Sequence, residues 1–249
     1  MDIVWENKQE NLRKVHEKLK ALCGMTDIVI LPETFSTGFS MNTPNLAEPT
    51  TGETITMLQK WSKEYQFAIV GSYISKEQSN FYNRAFFLTP NGDSYFYDKR
   101  HLFRMANEID HFSSGISRQV ISYMGWNIML LVCYDLRFPV WSRNVNNEYD
   151  LLIYVANWPI ARRSVWDILL QARAIENISY VCGVNRIGKD NNEINHNGGS
   201  AAYSPKGELL TIVPDNEEGI ATIELDLSEL RKFRIDFPAW KDEDKFTMF

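Results

Sequence analysis

The chain has 249 residues, with 26 Lys and Arg against 32 Asp and Glu for a formal net charge of −6, and 44% of it is hydrophobic. That apolar content supports a sizeable core and excludes global disorder, while no apolar run approaches the roughly 18–20 residues that cross a bilayer. An acidic chain without a Lys/Arg cluster repels phosphate backbones, so neither nucleic acid nor a membrane is an expected partner.

Residues 6–23 place Leu12, Val15, Leu19 and Leu22 at helical spacing, predicting an amphipathic helix closed by Gly24 at C′. Asp27 to Glu33 is a short apolar run ended by Pro32, the pattern of a strand buried on both faces. A helix over 53–65 precedes a strand from Phe67 to Tyr73. Two further strands, Arg84–Leu88 and Ser94–Tyr97, are joined by a Pro90-Asn91-Gly92 turn. Trp126–Cys133 is another buried strand that breaks into the polar Tyr134-Asp135-Leu136-Arg137-Phe138-Pro139.

The second half repeats this grammar. Asp150–Asn157 echoes Asp27–Glu33, with a polar residue at the strand end in both. Tyr180–Val184 echoes Phe67–Tyr73, and Ser200–Glu208 echoes Ala85–Asp93 with proline and glycine in register. Two rounds with aligned punctuation predict an internal pseudo-two-fold: two sheets with helices outside. No Gly/Ser- or Pro-rich linker divides the halves, so residues 1–249 are expected to form one domain. The aromatic tail from Leu230 to Phe249 is expected to dock on a surface or to form a dimer contact. The first seven residues carry no secretory signal pattern, and a cytoplasmic location is expected.

Three cysteines cannot all pair and none sits in a Cys-x-x-Cys unit, which argues against a disulfide framework and a structural zinc site. Cys23, placed on the first helix, and Cys182, within a strand, read as structural. Cys133 reads either as a small buried hydrophobe or as a nucleophile, because it ends a strand where α/β sheets bind their ligands. Glu33 either caps a turn or, buried beside a thiol, acts as a general base. Lys99, in Asp98-Lys99-Arg100-His101, belongs either to a solvated face or points inward to stabilise an oxyanion. Glu108 taken alone reads as an exposed loop acid.

Taken together and in this order, the segments resemble the nitrilase superfamily of carbon–nitrogen hydrolases. Leu31-Pro32-Glu33-Thr34-Phe35 is similar to the motif of the general base, Asp98-Lys99-Arg100-His101-Leu102 to the lysine motif, and Val132-Cys133-Tyr134-Asp135 to the nucleophile motif. Glu108, ahead of His111-Phe112-Ser113-Ser114-Gly115, resembles the family's additional glutamate. Ala156-Asn157-Trp158-Pro159, Ala161-Arg162-Arg163 and Phe237-Pro238-Ala239-Trp240 bring the chain nearest the bacterial ω-amidase-type enzymes. The resemblance implies a four-layer α-β-β-α sandwich, no cofactor or metal, and a homodimer or higher homo-oligomer. It also implies a strand ahead of Trp5, and this first strand is expected to be missing from the sequence.

The implied chemistry is hydrolysis of a small non-peptide amide through a thioester, with Glu33, Lys99, Cys133 and Glu108 catalytic and the backbone of Tyr134 helping Lys99 with the oxyanion. The amide implied is that of a 2-oxo dicarboxylic acid such as 2-oxoglutaramate. A nitrile or N-carbamoyl hydrolase would use the same residues, and a catalytically weakened binding protein would retain them. Arg137 reads either as a carboxylate ligand or as the partner of a structural acid such as Asp135. Trp158 reads either as a pocket wall or as core.

Overall fold

The computed structural model describes residues 1–247. In chain order its elements are α1 (Lys8–Ala21), β1 (Ile28–Ile30), α2 (Thr43–Leu46), α3 (Glu53–Tyr65), β2 (Ala68–Glu77), β3 (Asn80–Leu88), β4 (Ser94–Asp98), β5 (Val120–Tyr123), β6 (Trp126–Val132), β7 (Leu151–Ala156), α4 (Arg163–Asn177), β8 (Tyr180–Asn185), β9 (Ile187–Lys189), β10 (Asn195–Asn197), β11 (Ala201–Tyr203), β12 (Leu209–Ile212) and α5 (Leu227–Asp236). One sheet runs β1-β2-β3-β4, a second β12-β11-β8-β7-β6-β5, and β9 and β10 form a separate hairpin.

The alternation of side chains along each strand builds the layers. Ala68, Val70, Ala85 and Phe87 of the first sheet join Met129, Leu131, Ile153 and Val155 of the second in one core. The opposite face of β2 and β3, with Ile69, Phe86 and Leu88, packs on Leu12, Val15 and Leu19 of α1 and on Leu58 and Trp61 of α3. Trp166, Leu170 and Ala174 of α4 cover the second sheet. The result is the expected α-β-β-α sandwich.

The repeat is visible in the pairing. β1 runs parallel to β2, β2 antiparallel to β3, and β3 antiparallel to β4. In the same order, β7 runs parallel to β8, β8 antiparallel to β11, and β11 antiparallel to β12. The second sheet then continues past β7 through β6, which is parallel to it.

On the corresponding flank of β1 no strand is paired among the described residues, and a groove of about 210 Å³ opens there. Its walls include Leu22, Ile28, Ile30, Cys182, Ile220 and Ile223. β1 is accordingly half-buried rather than buried on both faces, which corrects the sequence expectation. Met1–Val4 run elsewhere: Asp2 makes an isolated bridge to Ile187, whose N–H bonds the Met1 carbonyl at 3.1 Å. Beyond β12, Ile223, Leu225 and Leu227 alternate onto the core, yet residues 219–225 belong to no strand.

Two smaller expectations shift. α1 starts at Lys8 because the Asn7 side chain caps it, accepting from Glu10 N at 3.1 Å, and it ends before Cys23, which is exposed in the following turn. Gly24, at φ +74°, therefore lies one residue beyond C′. In the C-terminal tail, α5 lies against the second sheet. Leu230 is buried, and Arg234 donates to Asp150 Oδ1 and the Tyr149 carbonyl, both at 2.7 Å. Residues 248 and 249 of that tail fall outside the described residues.

Candidate active site

The polar residues singled out from the sequence converge at one end of the two sheets. Glu33 follows β1, Lys99 follows β4, and Cys133 follows β6. Strand C-termini open onto ligand sites because the backbone there turns away and leaves side chains projecting into the crevice. Cys133 makes this turn sharply, with φ +43° at the first residue of a 3-10 helix over Cys133–Arg137. A non-glycine residue in the left-handed region is costly, and the extended Val132 before it and the helical turn after it hold it there.

Lys99 is completely enclosed. Its Nζ donates to Glu33 Oε1 at 3.1 Å and to both carboxylate oxygens of Glu108 at 3.0 Å, and it lies 4.9 Å from the centre of the Phe39 ring. Burial alone would lower its pKa, but the two carboxylates outweigh this and raise it, so it stays an ammonium. Glu108 is fully buried, against the expectation of an exposed loop acid, in a 3-10 turn over Glu108–Asp110. Its Oε2 also accepts the Phe103 N–H. Burial pushes its pKa up, opposed by Lys99.

Glu33 accepts from Asn83 Nδ2 at 2.8 Å and from Asn157 N at 2.6 Å, in addition to Lys99. Cys133 has its thiol pKa raised well above the usual range, first by burial and then by the Glu33 carboxylate, with Lys99 pulling the other way. The resting thiol is thus protonated, and forming the thiolate requires somewhere for the proton to go.

Glu33, Lys99 and Cys133 share the wall of a cavity of about 60 Å³ with Tyr134, Arg137 and Trp158. The structure rejects the Asp135 partner for Arg137. Asp135 is saturated by Val132 N at 3.0 Å, Tyr97 Oη at 2.8 Å, and the N and Nδ1 of His101 at 3.0 and 2.8 Å. The Arg137 guanidinium instead sits over the Trp158 ring, 5.5 Å from its centre. Trp158 serves as both wall and core: it is buried against Trp166 while bordering the cavity.

Several residues of the site carry no role in the sequence reading. Asn83 and Asn157 orient Glu33, Phe39 faces Lys99, and Arg162 and His196 border the cavity. Asn157 had a signal, since it ends the strand that echoes the one ended by Glu33. Asn83, inside an apolar strand, and His196, in a polar hairpin, had none.

Comparison with known proteins agrees with this geometry. Residues 1–235 match the family model described as carbon-nitrogen hydrolase. The chain is 41% identical to the protein named Omega-amidase YafV from Escherichia coli K12, over 99% of this chain and 95% of that one. It is 31% identical to the 2-oxoglutaramate amidase of Bacillus subtilis, over 97% and 94%. A crystal structure of a CN-hydrolase superfamily protein from Xanthomonas campestris superposes with a TM-score of 0.97 at 37% identity, covering 100% of this chain and 96% of that one. On its motifs, its fold and this match over nearly its whole length, the chain belongs to the carbon–nitrogen hydrolase family.

Proposed function

We propose that the protein is an amidase that hydrolyses a small linear amide carrying a distal carboxylate, of the 2-oxoglutaramate type, to the acid and ammonia through a thioester on Cys133. The observation that carries this reading is the enclosed Lys99 between Glu33 and Glu108, lining the same cavity as the Cys133 thiol. The relatives named for ω-amidase and 2-oxoglutaramate amidase activity support the substrate class. The Xanthomonas protein, whose active site carries an arsenic adduct, is consistent with thiol chemistry there, arsenic being thiophilic.

Glu33 takes the thiol proton as Cys133 sulfur attacks the amide carbonyl, so no free thiolate accumulates in a site that disfavours it. The oxygen of the tetrahedral intermediate gathers negative charge beside the Lys99 ammonium and the backbone N–H of Tyr134, where each donor contributes about 10²–10³ in rate. Glu33 returns the proton to the nitrogen, the C–N bond breaks and ammonia departs. The same carboxylate then draws a proton from water, whose oxygen displaces the sulfur and regenerates the thiol. Glu108 holds Lys99 in place, and no cofactor enters the balance. Free cysteines suit the cytoplasm, and the exposed Ile235 and Phe237 near the C-terminus support a homodimer contact.

Ammonia release across 2-oxoglutaramate, short aliphatic nitriles and N-carbamoyl amino acids tests the reading. It expects 2-oxoglutaramate to be turned over with the highest kcat/KM. Preferential turnover of a nitrile or a carbamoyl compound would replace it, and no turnover of any would point to a binding protein.

A further inference from the structure

We infer that Arg162 joins Arg137 in a guanidinium pair that receives the carboxylate end of the substrate, and so sets the preference for a charged amide. This deepens the proposed function and rests on it.

Both arginines border the cavity that contains Cys133. Each guanidinium is perched on an aromatic ring: Arg137 over Trp158 at 5.5 Å and Arg162 over Phe103 at 5.1 Å. The two perches are linked, because Trp158 Nε1 donates to the Arg162 carbonyl at 2.7 Å. A cation–π contact steadies a guanidinium without using any of its N–H donors, which stay available to a carboxylate. Neither side chain makes an ion pair or a hydrogen bond among the described residues, in contrast to Arg163 next door, which is held by Asp167 at 2.8 Å and by Asp215 at 2.6 Å.

Neither acid that lines the cavity, Glu33 or Asp190, makes an ion pair with either arginine among the described residues. Asp190 Oδ1 accepts the N–H groups of Asn192 at 2.8 Å and Ile194 at 3.0 Å. His196 is 5% exposed with its ring Nδ1 lacking any partner among the described residues, a buried polar group in the wall that a ligand could satisfy. Two arginines without an ion-pair partner among the described residues, lining one small cavity with Cys133, match a linear molecule with an uncharged amide at one end and an anion at the other. A single carboxylate has two oxygens, one for each guanidinium.

The test compares kcat/KM for 2-oxoglutaramate and for the uncharged pentanamide in the wild type, Arg162→Gln and Arg162→Lys. The wild type should prefer 2-oxoglutaramate. Arg162→Gln should lose about 10–100-fold on 2-oxoglutaramate, mainly through KM, and at least about tenfold less on pentanamide, as expected for one charged hydrogen-bonding contact. Arg162→Lys should recover part of the loss. Equal losses on both amides, or full retention of the preference in Arg162→Gln, would overturn the role of Arg162 while leaving the substrate class intact. A wild type that does not distinguish the two amides would overturn the substrate class itself, and the arginine pair with it.

Discussion

Asn157 gives its backbone N–H to Glu33 Oε2 and its side-chain amide to the Glu33 carbonyl, both at 2.6 Å. These two residues end β7 and β1, the equivalent strands of the two repeats. The site is therefore built where the halves of the duplicated fold meet, and each half orients the other's polar strand end.

Replacing Asn157 by Ala keeps the backbone donor and removes the amide bonds to the Glu33 carbonyl and to Thr34 Oγ1. The expected cost is about 1–3 kcal/mol of stability in urea unfolding, from buried acceptors left without a donor. A fall in kcat larger than that in stability-matched core variants is expected as well, since the Glu33 main chain loses an anchor although its carboxylate keeps the bonds from Asn157 N, Asn83 and Lys99.

Lys99→Met leaves two enclosed carboxylates facing each other without their cation. Removing one partner of a buried charge cluster typically costs about 3–5 kcal/mol. Ammonia release should fall by at least about 10²–10³-fold with the loss of the oxyanion partner. Thermal unfolding and steady-state kinetics on one preparation check both, and a stable, active variant would remove Lys99 from the mechanism.

His196 gives the structure an acid sensitivity. Burial, and then the charge of Arg186, hold its pKa near 4, below the ordinary 6.5. Between those values the unfolded chain binds the proton and the folded one does not, so stability is complete above pH 6.5 and falls as pH drops toward 4. The loss has an upper size of about 3 kcal/mol. In His196→Gln the unfolding free energy should depend less steeply on pH across this window, and an unchanged slope would assign the acid sensitivity to other groups.

The open flank of β1 makes a further expectation. A seven-residue apolar extended segment fused ahead of Met1 should enter the groove between β1 and residues 219–225, pairing backbone that is otherwise unpaired. Burying even two large apolar side chains contributes about 3–6 kcal/mol. For a chain of this size each kcal/mol shifts Tm by roughly 2–4 °C. Thermal unfolding should therefore rise by several degrees, whereas a fusion of the same length in Gly and Ser should leave it near its starting value.

What the sequence revealed follows what periodicity and chain order can carry. The strands of both repeats were legible because alternating or continuous apolar runs are punctuated by Pro and Gly at matched places. Cys133, Glu33 and Lys99 stood out as candidates because each follows such a run, but position alone left each between a structural and a catalytic reading, and only their order along the chain, through the family resemblance, favoured the second. Glu108 was not legible by itself, since its burial comes from a partner nine residues earlier and from the fold around it. Asn83 lies just ahead of the strand expected from Arg84, and only the pairing of the longer β3 beside β2 shows that it faces Glu33. The half-burial of β1 was hidden for the same reason, because local pattern does not say which neighbour lies alongside.

The central claim is that Cys133 forms the bond that releases ammonia from a carboxylate-bearing amide. Ammonia release from 2-oxoglutaramate, measured for the wild type and for Cys133→Ala of unchanged thermal stability, tests it most directly. Robust turnover is expected in the first and none above the uncatalysed rate in the second; turnover persisting in Cys133→Ala would contradict a bond-forming role for this thiol.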